Sequence, residues 1–103
     1  MGEMSSRAGR LGGYNRRVGK RLEGAVSEAL EIALAWLGLP DVRVVRQPDS
    51  SPYDIELVRG GLRAFVEVKG SRRPDRLARA VNSAFRRDHP EPFCVVGVLG
   101  FPR

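Results

Sequence analysis

Residues 53–69 read YDIELVRGGLRAFVEVK, and this stretch decides the fold because it predicts a β-hairpin. Apolar and polar residues alternate on both sides of the central glycines, as they do in half-buried strands. Two glycines in a two-residue loop suit the primed turns that such hairpins favour. If Gly60 and Gly61 form the loop, Arg59 pairs with Leu62, and every other pair in the hairpin follows from that one.

The hairpin register sorts the side chains onto two faces. Counting outward from the turn places Asp54 opposite Glu67, and Lys69 projects from the same face because it follows Glu67 by two residues. The opposite face is apolar and is predicted to face the core; it carries Ile55, Leu57, Ala64, Val66 and Val68. A slip of one residue would bury the charges, so the hydrophobic pattern fixes this register.

Together, Asp54, Glu67 and Lys69 indicate a metal-dependent hydrolytic site. Mg²⁺ is held by one or two carboxylates plus waters and phosphate oxygens. The ammonium group could stabilise a developing negative charge or orient the attacking water. Of the 18 Lys and Arg residues only Lys20 and Lys69 are Lys, so Lys69 fits a role that the bulkier Arg does not fill. The alternative is a surface strand whose Glu and Lys are solvated or paired with each other.

The composition indicates one small domain with a polyanionic partner. A chain of 103 residues can bury a single core, and its net charge of +6 favours nucleic acid over a membrane. We expect residues 1–13 to form a flexible basic arm and residues 14–103 to form the domain. No apolar stretch could span a bilayer or serve as a signal peptide, so we expect a cytoplasmic location. Because the chain is small, we also expect a homodimer.

The order of elements is predicted as helix, three strands, helix and strand. Asn15 is a candidate N-cap for a long helix whose apolar stripe includes Trp36, and Gly38 and Pro40 end that helix. Three strands are predicted at residues 42–46, 53–59 and 62–69. The second helix is predicted at residues 75–88 and the last strand at residues 93–99. Because a strand connected through a helix to the next strand implies a parallel crossover, the fold class is α/β with a mixed sheet flanked by helices.

The last strand and the loop before it contain the only cysteine and the only histidine. Cys94 lies in the apolar run from Phe93 to Leu99, which predicts a strand covered on both faces and a buried thiol. His89 precedes Pro90 at a predicted helix end, where capping or solvation is expected rather than metal binding.

Two clusters of basic side chains flank the hairpin in the sequence. The first comprises Arg16, Arg17, Lys20 and Arg21, and the second comprises Arg72, Arg73, Arg76, Arg79 and Arg86. Each cluster could be a solvated helix face, but their single sign favours a rim that binds phosphates. No motif for reading bases is present, which is consistent with recognition of DNA structure rather than of DNA sequence.

The element order, with Asp54 at the start of the second strand and Glu67-Val-Lys69 on the third, resembles the PD-(D/E)xK nuclease superfamily, which has the restriction-endonuclease-like core. Within it the chain is similar to archaeal Holliday junction resolvases. That likeness comes from the basic stretch Gly19-Lys-Arg-Leu-Glu23 in the first helix and from the serine-containing loop Arg46-Gln-Pro-Asp-Ser-Ser-Pro-Tyr-Asp-Ile55.

The resemblance implies a metal-dependent DNA endonuclease that acts on branched DNA, in recombination or repair, as a homodimer. It implies that Asp54 and Glu67 bind Mg²⁺ or Mn²⁺ with the Val68 carbonyl, while Lys69 assists the attacking water. It also implies that Glu23 approaches this site from the first helix. The remaining residues that it places near the scissile phosphate are Arg46 with Ser50 or Ser51.

The residues by themselves leave alternatives open. Glu23 could be an ordinary helix glutamate paired with Lys20 or Ser27, and Arg46 could be a surface strand residue. The substrate could be flapped, mismatched or foreign DNA, or RNA. A non-catalytic DNA-binding subunit with the same fold is a further alternative.

Overall fold

The structure, a computed structural model, describes residues 16–102. The predicted basic arm and the candidate cap Asn15 lie outside the described residues. Within residues 16–102, two helices and four strands follow one another in the predicted order: α1 Arg16–Trp36, β1 Arg43–Arg46, β2 Ile55–Arg59, β3 Leu62–Ser71, α2 Pro74–Arg86 and β4 Phe93–Leu99. Over residues 16–102, neither helix is long and apolar enough to cross a bilayer.

The four strands form one mixed sheet in the order β1-β2-β3-β4. The first three strands are antiparallel neighbours, because short loops connect them. β4 runs parallel to β3, and α2 makes the crossover between them. The predicted α/β architecture with a mixed sheet and flanking helices is confirmed.

The β2–β3 hairpin has the predicted register. Arg59 pairs with Leu62 and Ile55 pairs with Val66. Gly60 has a φ of 59°, and a positive φ at the first central residue alone is the pattern of a type II′ turn. At the other end of the hairpin the Asp54 N–H donates to the Val66 carbonyl at 3.1 Å, one residue out of the register in which Ile55 pairs with Val66.

The core lies between α1 and the apolar face of the sheet. Leu22 and Val26 of α1 meet Ile55 of β2 and Val66 of β3, and all four side chains are buried. The predicted core face of the hairpin is therefore confirmed. Partly buried side chains surround this centre: Leu30, Val44, Leu57, Val68, Val96, Val98 and Phe101.

The C-terminal end of α1 extends past the sheet. Gly38, with a φ of 78°, ends the helix in a Schellman motif, in which the Leu39 N–H donates to the Leu34 carbonyl at 2.8 Å. The prediction that Trp36 belongs to the buried stripe is wrong, because its side chain is 88% exposed. A helix of 21 residues is about 32 Å long, which exceeds the length of β1, a strand of four residues on which it packs.

The other face of the sheet is covered by α2, which packs on β3 and β4. Gly97 allows this close packing, since a Cβ there would lie 3.2 Å from Val81 Cγ2 and 3.5 Å from Leu77 Cδ1. The apolar spacing within α2 predicts that Ala84 and Phe85 lie on its buried stripe with Leu77 and Val81. Ala84 is buried, but Phe85 is exposed and its ring contacts the ring of Phe93.

β4 forms an edge of the sheet and is not covered on both faces as predicted. Cys94 is exposed, because α1 lies over β1 and β3 on the face where this thiol projects. Leu99 is exposed as well. Partial burial still raises the pKa of the Cys94 thiol.

We expect Gly97→Val to lower the free energy of unfolding by about 1–3 kcal/mol, because the added side chain must displace Val81 and Leu77. Urea denaturation followed by circular dichroism measures this change. Gly61→Ala is the control, because nothing lies within 4 Å of a Cβ at that position. Equal stability of the two variants would contradict the close packing of α2 on β4.

Candidate functional site

Asp54 lies where β2 begins, beside the third strand. Its Oδ2 accepts a hydrogen bond of 2.7 Å from the Val68 N–H. Burial raises the pKa of Asp54, and the nearby Glu67 carboxylate raises it further. The Val68 hydrogen bond and the ammonium groups of Lys69 and Lys20 act in the opposite direction on this pKa. Glu67 and Lys69 are thus close enough to Asp54 to change its pKa.

Glu67 is the most deeply buried acidic residue among those described, with 4% of the whole residue exposed. Its Oε1 forms an ion pair with the Arg87 guanidinium, which comes from the segment after α2. Its Oε2 is buried and has no hydrogen-bond partner among residues 16–102. A buried carboxylate oxygen without a partner is costly in a structure that serves only packing.

Lys69 is half-buried, on the same face of β3 as Glu67. Its strand partner on β4 is Gly97, which has no side chain to cover it. The structure thus brings together Asp54, Glu67 and Lys69 as the hairpin register predicts. The role of the Val68 carbonyl as a metal ligand stays a prediction, since the contact in this structure is made by the Val68 N–H.

Glu23 approaches the site from α1, and it lines the same cavity as Asp54. Burial raises the pKa of Glu23 and the Asp54 carboxylate adds to this shift, while Lys20 and Arg46 oppose it. The Arg46 guanidinium lies 3.6 Å from Glu23 Oε1, and it donates to the Lys20 carbonyl at 2.9 Å. Glu23 pairs with Lys20, at 3.9 Å, as the alternative expects, and it also lines the cavity beside Asp54.

A cavity of about 420 Å³ opens beside Asp54, between α1 and the loop before β2. Asp49 stands in this loop, and its two carboxylate oxygens pair with Arg16 and Lys20. Hydrogen bonds from Lys20 and Arg16 lower the pKa of Asp49 to about 2. Ser51 lines the cavity and its Oγ accepts the Tyr53 N–H at 3.2 Å. Ser50, the other predicted serine, is exposed and does not line it.

Contacts among the aromatic rings of Tyr53, Phe65 and His89 fix the backbone next to Asp54. The Tyr53 ring stacks on Phe65, with 4.5 Å between centroids, and its hydroxyl donates to His89 Nδ1 at 2.8 Å. His89 Nε2 in turn donates to the Ala84 carbonyl in the last turn of α2 at 2.6 Å. Of the two roles expected for His89, capping and solvation, the structure shows capping. The segment after α2 is also tied to the residue that precedes Asp54.

The basic clusters of the two helices are exposed, apart from a half-buried Lys20. Arg17 and Arg21 project from the first turns of α1. Around the start of α2, Arg73 and Arg79 both pair with Asp75, at 3.4 and 3.1 Å. The remaining predicted contacts to nucleic acid in this cluster, Arg72 and Arg76, are exposed as well. Both clusters are accessible to a polyanion.

Asp49 and Arg87 pair with the candidate residues Lys20 and Glu67, although the sequence pattern does not single them out. The sequence could have indicated Asp49, because it is an acidic residue between the basic end of β1 and the candidate ligand Asp54. It gives no comparable indication for Arg87, which simply follows Arg86 at a helix end. Its pairing with Glu67 depends on how the crossover returns the chain over the sheet.

The donor set available to a metal ion is small. In the part of the chain that the structure describes, no group of three or more His, Cys, Asp or Glu side chains is arranged to hold a metal ion. The carboxylates of Asp54 and Glu67 nevertheless fit Mg²⁺ or Mn²⁺, which accept one or two carboxylates and complete their shell with water and phosphate oxygens. The unpartnered Oε2 of Glu67 is an atom that such an ion would satisfy.

The arrangement contains groups of the kinds that metal-dependent hydrolysis of an anionic substrate uses. It combines two neighbouring carboxylates, a half-buried lysine and a cavity whose lining holds two cations, Arg16 and Lys20, and three carboxylates, Glu23, Asp49 and Asp54. Comparisons of this chain with protein-family models, curated proteins and solved structures find no match.

Proposed function

We propose that this protein is a metal-dependent DNA endonuclease whose site is formed by Asp54, Glu67 and Lys69. The observation that supports it most is the buried Oε2 of Glu67, which has no partner among the described residues and lies beside a second carboxylate of raised pKa. In a purely structural strand this arrangement is destabilising. In a site that binds a cation, the same two carboxylates, of Glu67 and Asp54, would serve as ligands.

In this mechanism Asp54 and Glu67 would hold Mg²⁺ or Mn²⁺. When bound, the ion would polarise the phosphodiester and lower the pKa of a water molecule. The Lys69 ammonium orients the attacking water and stabilises the negative charge that develops on the phosphoryl oxygens. The Val68 N–H holds one oxygen of Asp54, so the other is left for the cation.

The substrate phosphate would enter the cavity beside Asp54. Arg16 and Lys20 line this cavity, Arg46 pairs with Glu23 of its wall, and these three residues supply the positive charge. The exposed arginines of α1 and α2 extend that charge over the surface, so DNA binding should be largely independent of sequence and should weaken with salt. The resemblance to archaeal Holliday junction resolvases supports the finer proposal of a homodimer that cleaves branched DNA.

The test is a panel of four-way junctions, flaps, mismatched duplexes and linear duplexes, incubated with Mg²⁺, with Mn²⁺ or with EDTA. We expect cleavage that requires the cation and is fastest on a branched substrate. Cleavage that is equally fast in EDTA would contradict the mechanism. Faster cleavage of flaps or mismatched duplexes than of four-way junctions would still support metal-dependent hydrolysis, but it would contradict the resolvase assignment.

A non-catalytic DNA-binding subunit is the second candidate, and one observation favours it. Arg87 already neutralises Glu67, so this carboxylate has a protein counter-ion. The two candidates differ in their response to Mn²⁺. DNA binding that stays intact without any binding of Mn²⁺ would favour the non-catalytic subunit.

Asp49→Asn should strengthen DNA binding, because it frees Arg16 and Lys20 to contact phosphates. We expect severalfold tighter binding and a salt dependence steeper by up to about two phosphate contacts. Fluorescence anisotropy with labelled DNA in EDTA measures both. Asp41→Asn is the matched control, because Asp41 is also exposed and also paired with an arginine, Arg59, at 2.8 Å. If both variants bind DNA equally well, net charge alone explains the effect.

A further inference from the structure

Arg87 reaches a buried acidic group from the protein surface. The Arg87 side chain is 49% exposed, whereas the Glu67 side chain is 5% exposed, and the two form an ion pair. One oxygen of Glu67 is taken by this guanidinium and the other is buried without a partner among residues 16–102. The carboxylate is therefore neutralised but only half satisfied.

The backbone that carries Arg87 is fixed at both sides. Arg87 is the first residue after α2, with extended φ and ψ angles of −74° and 154°. Two residues later, His89 is held by Tyr53 and by the Ala84 carbonyl. Because the backbone is anchored, any movement of the guanidinium away from Glu67 is a rotation of its long, half-exposed side chain.

We propose that Arg87 is the counter-cation of Glu67 in the metal-free protein and that a divalent cation displaces it. This rests on the proposed function, since it takes Glu67 to be a metal ligand. Two cations close to one carboxylate repel each other, and a low local dielectric strengthens that repulsion. Binding of the metal ion and pairing with Arg87 are therefore alternatives.

The exchange couples metal binding to DNA binding. Once released, the Arg87 guanidinium lies at the rim of the site, where a DNA phosphate can accept its hydrogen bonds in place of Glu67. A phosphate that holds Arg87 leaves Glu67 open to the metal ion. Since coupling between two ligands is reciprocal, DNA should tighten the binding of Mn²⁺ and Mn²⁺ should tighten the binding of DNA.

The experiment compares Arg87→Ala with Arg86→Ala in the full chain, using Mn²⁺ alone as the probe. Both variants remove one positive charge at the end of α2, but Arg86 is exposed and does not pair with Glu67. Isothermal titration calorimetry and the Mn²⁺-induced shift in melting temperature are the readouts. We expect Arg87→Ala to bind Mn²⁺ about tenfold or more tightly than the wild type and to show the larger shift, because its buried carboxylate is left uncompensated.

A destabilised Arg87→Ala is still informative. If it is unfolded in EDTA and folds when Mn²⁺ is added, the proposal is supported. The Glu67→Gln/Arg87→Met double variant removes both charges, so we expect it to fold in EDTA and not to respond to Mn²⁺. An unchanged Mn²⁺ response of this double variant would overturn the proposal, and so would equal Mn²⁺ affinities of the two single variants.

Failure of this inference and failure of the proposed function give different results. Tight Mn²⁺ binding by Arg87→Ala, without DNA cleavage by the wild type, would support the exchange and reject the nuclease. Cleavage by the wild type, with an Mn²⁺ affinity that does not depend on Arg87, would support the nuclease and reject the exchange.

Discussion

Asp54→Asn is expected to reduce Mg²⁺-dependent cleavage of DNA by about a hundredfold or more, since it removes one of the two carboxylates that would hold the cation. The amide oxygen can still accept the Val68 N–H, so the local backbone should not change. Single-turnover cleavage measures the chemical step directly. Asp41→Asn should retain full activity, as it changes the same charge at an exposed ion pair with Arg59.

The stability of Asp54→Asn separates a catalytic role from a structural one. Burial raises the pKa of Asp54 above 3.8, so the folded state favours the protonated acid. The stability that this proton provides is present below 3.8 and is lost as pH rises through the raised pKa. An uncharged amide avoids this loss, so the variant should be at least as stable as the wild type at neutral pH. Lower stability with unchanged cleavage would show that Asp54 is structural.

Ile55→Ala is expected to lower the free energy of unfolding by about 2–5 kcal/mol, because Ile55 is completely buried between α1 and β3. Since Ile55 follows Asp54 in the chain, the cavity left behind should also loosen the site. Urea denaturation measures the first effect. Leu62→Ala is the control, because Leu62 is 74% exposed and should change stability by no more than about 0.5 kcal/mol. Similar losses in the two variants would contradict the packing of the core.

The hairpin and its register could be predicted from the sequence, because they depend on local properties. Alternating polarity defines the two faces, and Gly60-Gly61 defines the turn. The exposure of Trp36 and Cys94 could not be predicted in this way. Both residues have apolar neighbours at the right spacing, but their burial depends on how far each helix extends over the sheet.

The site was predictable to the extent that the hairpin defines it. The set of Asp54, Glu67 and Lys69 follows from the register alone. The counter-ions do not, because they are supplied by elements that are distant in sequence. Arg87 reaches Glu67 only after the α2 crossover, and Asp49 meets α1 only once the loop before β2 folds back on that helix.

The exposed end of α1 gives this protein an intrinsic optical probe. Trp36 is the only tryptophan of the chain, so all tryptophan emission comes from that position. Because its indole is already in water in the folded chain, unfolding should shift this emission little, and folding is better followed by circular dichroism. For the same reason, a blue shift that grows with protein concentration would report that another copy covers this end of the helix. The predicted homodimer can thus be tested without a label.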